Sequence, residues 1–258
     1  MRMYEAIKKI SFTIILILSV PVFCLVVRML GATSGYNFLF ATVLYSVVIF
    51  LCVKYLIGKE FRASDCCLAV VIGLITMLYT IPLKFIGVYG GICTAMVYLT
   101  LRDYITRNDI SFTWIRRGII DNVKIMGSIS LLFFMIYLIG FKNRFVFVPI
   151  YLLKPWAPAV SEELIFRVLI PMMIFKLFKL DDTKGNKIWV FLIVTIPFAM
   201  WHCTDAIVAG NVTEVVRRCY SPIFCSTIFC FLIYKYGLFY GIYAHALCDF
   251  ITMCSGRA

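Results

Sequence analysis

Glu162, Glu163 and Arg167 lie in the stretch AVSEELIFRVLIP, which is otherwise almost wholly apolar. An ionised side chain in hydrocarbon is expensive, so such residues mark a paired structure or a site of chemistry. Glu163 and Arg167 are four apart, one helical turn, and can pair on one face. Glu162 is rotated by about 100° from its neighbour and meets Phe166 at the next turn, so pairing with Arg167 does not account for it. A structural ion pair thus explains one glutamate and leaves the other available. The chain has 2 histidines. His202 closes the stretch IPFAMWH, and His245 sits in GLFYGIYAHALCDF with Asp249 four residues on. Carboxylates and imidazoles can activate a water for hydrolysis and hold the oxyanion that its attack creates. Glu162, His202, His245 and Asp249 also have the donor types of a zinc or manganese site. No H-E-x-x-H or G-x-S-x-G motif offers a different hydrolytic centre.

These residues fall in or beside long apolar runs. Runs of adequate length and low charge cover 10–27, 36–53, 66–83, 85–101, 125–141, 158–178, 188–202, 219–234 and 238–254. Each approaches the ~20 residues that cross a bilayer as a helix. The count is nine, or eight if Lys84 lies within a re-entrant hairpin. The expected fold is therefore all-α: a polytopic transmembrane helical bundle of about eight or nine spans with a polar intramembrane cavity. Ser161 or a nearby residue, shortly after Pro158, reads as the cap of a helix whose first turn carries both glutamates, where the helix dipole favours negative charge. Counted by helical rise, Glu162 is then roughly 6 Å inside one membrane face, and His202 returns to that face. Entering from the other face, His245 is about 10 Å and Asp249 about 16 Å deep in a core of ~30 Å, levels compatible with one cavity. Gly237, Gly241, His245 and Asp249 recur every four residues, a spacing of small residues that lets helices approach closely and would present His245 to a neighbour. Gly87 and Gly91 read as plain packing.

Composition agrees. The chain of 258 residues is 63% hydrophobic and only 15% charged, against roughly 25% charged in soluble domains. Its net charge of +12 does not imply nucleic acid, because the basic residues lie in short segments between apolar runs and no nucleic-acid-binding signature accompanies them. About twice as many Lys and Arg fall in segments assigned inside as outside when the amino terminus is inside, which sets that orientation. Trp114, Trp156, Trp189 and Trp201 fall near span edges, as an interfacial belt would. Most of the 11 cysteines lie within apolar runs and read as reduced thiols rather than as a disulfide frame. The basic, then apolar, amino-terminal stretch reads as a retained signal anchor.

Three motifs stand in order on separate runs. EELIFR fits E-E-x-x-x-R, FAMWH fits F-x-x-x-H, and HALCD fits H-x-x-x-N/D. Together they resemble the CAAX protease and bacteriocin-processing (Abi) family of intramembrane endopeptidases, over about residues 155 to 254. The resemblance implies a helical bundle with a cavity open to one side. It also implies cleavage of a peptide or protein substrate at the membrane, such as removal of the last three residues of a prenylated protein or processing of a bacteriocin or signalling peptide. By the resemblance, Glu162 and His202 would activate the water, His245 and the residue at 249 would steady the oxyanion, and Glu163 and Arg167 would orient and neutralise. Asp249 departs from the commoner asparagine, and the family has been described both as metal-dependent and as glutamate-dependent, so the cofactor is either none or a divalent metal such as zinc. The chain divides on this basis into amino-terminal helices without motifs, 1–124, and a catalytic-type core, 125–258. Its expected location is the bacterial cell membrane, its partners the bilayer and the substrate, with no nucleic acid. Two other readings fit some of the same residues: a catalytically silent immunity or binding protein of this fold, and a proton-coupled transporter, although the internal repeats usual in transporters are not found.

Overall fold

The structure, a computed structural model, describes residues 2–31, 35–77, 84–108, 118–140 and 146–255. Every expected apolar run is helical where described. In order the helices are α1 (Arg2–Met29), α2 (Tyr36–Leu56), α3 (Ala63–Met77), α4 (Lys84–Arg107), α5 (Ile119–Gly140), α6 (Trp156–Glu162), α7 (Ile170–Phe178), α8 (Lys184–Trp201), α9 (Thr204–Val208), α10 (Val212–Tyr236) and α11 (Leu238–Cys254). No strand occurs among the described residues. Trp114 and the end of the third expected span, after Met77, lie outside them. The all-α expectation is borne out. Among the described residues, length and apolarity sufficient for a crossing are met by four segments, Ile7–Met29, Leu39–Leu56, Ile120–Ile139 and Val212–Tyr236, while α3 and α11 are apolar but shorter. Large apolar side chains on these helices point outward, with Ile15 65%, Phe50 66% and Ile139 74% exposed. A surface of that kind belongs in lipid. The protein is an integral membrane protein.

The chain forms two compact units, one of Met1–Leu44 with Phe166–Ser226 and one of Tyr45–Ile165 with Thr227–Ala258. In the first, α1 packs on α8 and α9, and α7 packs on α8. Polar ties lie at the ends of this packing: the Trp189 indole donates to Thr13 Oγ1 at 3.1 Å and Lys9 donates to Asn186 at 3.0 Å. Thr183 caps α8 by accepting the Asn186 amide. Aromatic edges fill the interior, Phe12 on Phe178 and Phe23 on Phe40.

In the second unit α3 and α4 run in close contact, as do α11 with α5 and α6, and α6 with α3 and α4. Gly91 permits the first approach, because a Cβ there would stand 2.7 Å from the Gly73 carbonyl oxygen. Gly241 permits another: a Cβ there would lie 2.3 Å from Ile233 Cγ1, one residue type deciding how closely α11 folds back on the end of α10. The turn between these helices is Gly237, at φ 119°, a left-handed value that side chains resist. The extended residues at 146–148 lead to the foot of α11, where the Val146 amide donates to the Cys254 carbonyl at 2.8 Å. At one end of α4 the buried Asp103 accepts from Lys59 at 2.5 Å, Tyr55 at 2.9 Å and Arg107 at 2.7 Å. Burial alone would push that carboxyl up. The hydrogen bonds from Lys59, Arg107 and Tyr55 outweigh burial and hold it below the ordinary carboxylate value.

The span expected at 158–178 is one unbroken helical rod with a change of winding. α6 begins at Trp156, capped by Pro155 without a side-chain bond. A π-helical stretch follows over Glu163–Leu169, and α7 ends at Lys179, whose φ is 47°. The start differs from the expectation. Ser161 is not a cap but lies inside α6, donating back to the carbonyls of Ala157 and Pro158 at 3.2 and 3.1 Å. Pro155 and Pro158 both fit the first turn of a helix, where the missing N–H costs nothing, so the helix begins earlier than Pro158 alone suggests. The glutamates therefore follow the first turn, and Glu162 is roughly 9 Å along the rod rather than 6 Å.

Candidate active site

Two carboxylates project from the α6–π junction toward α11. Glu163, the first π residue, is fully buried, and its Oε1 accepts from His245 Nδ1 at 2.8 Å. A carboxylate can only accept from a ring nitrogen that carries hydrogen, so this bond fixes the His245 proton on Nδ1 and turns Nε2 the other way. Nε2 faces two further carboxylate oxygens, Glu162 Oε2 at 3.6 Å and Asp249 Oδ2 at 3.8 Å. The ring is stacked on Phe229, centroids 4.8 Å apart and planes 16° off parallel. His245 is thus gripped on one nitrogen and one face, with the remaining nitrogen presented to a pair of acids. Accessibility rises outward along the set: Glu163 0%, His245 8%, Glu162 12% and Asp249 31% of each side chain exposed. The innermost acid holds the imidazole, and the outer two can meet a substrate or water.

The same arrangement explains the four-residue stripe. His245 is one turn beyond Gly241, and Asp249 one turn beyond His245, so the close approach at Gly241 brings this face of α11 inward. The expectation that close packing would present His245 to a neighbour is met by the contact of α11 with α6.

In the other unit His202 ends α8. Its Nδ1 lies 2.9 Å from the Phe198 carbonyl oxygen. A carbonyl only accepts, so Nδ1 carries the hydrogen and the neutral ring has its lone pair on Nε2, the nitrogen that can take a proton. The ring packs against Phe198 and Trp201, centroids 4.6 and 5.3 Å away. Arg167 donates to Ser226 Oγ at 2.6 Å, and its guanidinium carbon lies 4.5 Å from the centre of the Phe198 ring. That separation is within cation–π range. Phe198 therefore serves two candidate residues at once, His202 with its carbonyl and Arg167 with its ring, which gives a physical reason for the first letter of F-x-x-x-H.

Sequence reasoning singled out Glu162, Glu163, Arg167, His202, His245 and Asp249. The structure brings Glu162, Glu163, His245 and Asp249 together within the second unit, and places Arg167 and His202 against a common Phe198 in the first. It adds Phe229 and Ser226. Phe229 has no distinguishing signal in an apolar run. Ser226 was visible only as a small polar residue in one. The metal alternative was tested on the donor set. Glu162, His245 and Asp249 have suitable chemistry, yet among the described residues no group of three His, Cys, Asp or Glu is arranged to hold an ion. One imidazole nitrogen is moreover committed to Glu163.

Residues 143–251 match the Rce1-like family model, described as type II CAAX prenyl endopeptidase Rce1-like. The match contains all three motifs, and the resemblance drawn from them is borne out. No curated protein and no solved structure matches the chain.

Proposed function

We propose that the protein is an intramembrane endopeptidase that hydrolyses a peptide bond in a membrane-associated substrate, of the CAAX type or a bacteriocin or signalling peptide, with Glu162 and His202 activating the attacking water. One observation carries the reading. Inside the segment that matches a peptidase family, His245 is oriented by buried Glu163 and turns Nε2 toward Glu162 and Asp249. That is an oriented imidazole with two acids at its working edge, the kind of set that hydrolysis uses.

In the proposed reaction, water approaches the scissile carbonyl carbon, and Glu162 takes one of its protons. The carbonyl oxygen becomes an oxyanion. A protonated His245 Nε2 donates to it, and the side chain at 249 borders the same place. Collapse of the tetrahedral intermediate breaks the C–N bond, and the proton held by Glu162 passes to the leaving amine. The products are a carboxylic acid and an amine, which become carboxylate and ammonium once the acid proton passes to the amine, and no step passes through a metal. Glu163 is a positioning residue that acts through His245. Arg167 is held by the Ser226 hydroxyl and the Phe198 ring, beside His202.

The test is turnover by the purified protein in lipid vesicles on a quenched fluorescent peptide, offered with and without a prenyl group. Glu162→Gln and His202→Ala are each expected to lower kcat by about 10²–10⁴, the range of general acid–base assistance. Protein yield and thermal midpoint should stay near wild type. If either variant keeps wild-type turnover, the role given to that residue is wrong. Cleavage by the wild type of neither peptide, together with retained peptide binding, would favour a silent binding protein of the same fold.

A further inference from the structure

We propose that Cys203 and Cys219 form a reversible disulfide by thiol–disulfide exchange with a small-molecule disulfide, making this pair a redox modification site outside the hydrolytic set. Their sulfurs lie 3.1 Å apart. A disulfide bond is about 2.05 Å long, so closure needs an approach of roughly 1 Å, within the reach of side-chain rotation. The two cysteines belong to the same compact unit, so the approach is internal to it.

The surroundings divide the labour between them. Cys203 is fully buried in the turn between α8 and α9, and its S–H is placed to donate to the Ala199 and Met200 carbonyls at 3.2 and 3.3 Å. Cys219 is on α10 and partly exposed. An outside disulfide therefore meets Cys219 first. In the first step the Cys219 thiolate attacks one sulfur of RSSR, forming a mixed disulfide and releasing RS⁻. In the second, Cys203 loses its proton and attacks the Cys219 sulfur, releasing the second RS⁻. The protein gives up two protons and two electrons, and RSSR becomes two RSH. The product closes a loop from the turn after His202 to α10 and encloses the whole of α9.

Closure constrains the unfolded chain and so raises stability. It also removes a thiol placed to donate to two helix carbonyls, Ala199 and Met200, which keep the His202 and Cys203 backbone amides as donors at 3.1 Å each. The inference stands apart from the peptidase reading, because it is read by mass and not by turnover.

Full-length protein in vesicles is incubated with glutathione disulfide, denatured, alkylated with iodoacetamide, digested and weighed. The expected product joins the peptides carrying Cys203 and Cys219, lighter by two hydrogens, and dithiothreitol returns both to alkylatable thiols. Cys203→Ser should instead trap Cys219 as its glutathione mixed disulfide, and Cys219→Ser should leave Cys203 alkylatable after denaturation. The oxidised wild type should melt a few degrees higher than the reduced form. Recovery of Cys203 and Cys219 as separate alkylated peptides, or their preferential linkage to other cysteines, would overturn the proposal.

Discussion

At the scale of single residues, the informative contrast is between two carboxylates that adjoin in sequence and differ in surroundings. Glu163 is sealed and bonded to His245 Nδ1, whereas Glu162 stands at the opposite nitrogen with part of its side chain exposed. The division of roles follows from that difference. Asp249 offers the sharpest test of the oxyanion assignment. An ionised aspartate cannot donate a hydrogen bond, while asparagine can. In the metal-free reaction Asp249→Asn should hold activity or raise it, since one lost oxyanion donor elsewhere costs about 10²–10³ in rate and a gained one works in the opposite direction. In a metal site the same change removes a ligand and activity should collapse. Turnover of Asp249→Asn, paired with metal analysis of the purified wild type, separates the two. Arg167→Ala should act mainly on folding. It removes a half-buried charge that Ser226 and the Phe198 ring hold in place and takes from the buried Ser226 hydroxyl its donor, a loss of about 1–3 kcal/mol. A lowered thermal midpoint with little folded protein is the expected result.

At the scale of elements, the bundle was largely legible because bilayer-length apolar runs announce helices without any need for periodicity. The runs at 36–53 and 238–254 correspond to α2 and α11 within a few residues, and the run at 10–27 lies inside the longer α1 (Arg2–Met29). The winding of the rod from Trp156 to Phe178 was not legible. Apart from Ser161, Glu162, Glu163 and Arg167 the stretch AVSEELIFRVLIP within it is apolar, and so few polar residues give no phase by which a π turn could be told from an α turn. The start of α6 was misplaced for a related reason: Pro158 is a permitted helix-start residue, and Pro155 is another. The hairpin of α10 and α11 is the element on which the site most depends. Gly241→Ala would drive a methyl group to 2.3 Å from Ile233 Cγ1 and 3.3 Å from the Phe229 carbonyl oxygen. Overpacking of this kind costs about 1–3 kcal/mol, and because Phe229 also carries the His245 ring, activity should fall with stability. Ile233→Ala on the Gly241→Ala background should restore part of both. Independent additivity of the two changes in melting experiments would show that they do not share the contact.

At the scale of the molecule, a carboxylate outside the candidate set should make stability sensitive to acid. Asp103 gathers Lys59, Tyr55 and Arg107 at the end of α4. Its carboxyl titrates below its ordinary value of 3.8 in the folded protein. A depressed folded value means that the stabilisation is fully present above the unfolded value and is lost as pH falls through the folded one. The wild type should therefore lose stability on acidification below about pH 4, and Asp103→Asn should lose part of it at neutral pH, by about 2 kcal/mol, while flattening the acid limb. Thermal midpoints of both proteins from pH 3 to 7 check this, and parallel curves for the two would refute it. The candidate site was legible at this scale only as a list. Spacing and family motifs named the six residues. They could not say that Glu163, rather than Arg167 alone, engages His245, because that contact joins residues 82 apart in the chain.

The π-helical stretch at Glu163–Leu169 makes the length of one helix matter as much as its composition. Deleting a single residue there would leave every charged group present and the rod free to return to ordinary α winding. Where the π winding persisted instead, the residues just beyond the gap, Arg167 among them, would turn by roughly a quarter turn about the helix axis. Arg167 would then leave Ser226 and Phe198, with no residue type changed. Diverged copies of this sequence should accept many point replacements among the apolar residues of this stretch and refuse insertions or deletions within it, so a gap there in an otherwise well-aligned relative should go with loss of the proposed hydrolysis.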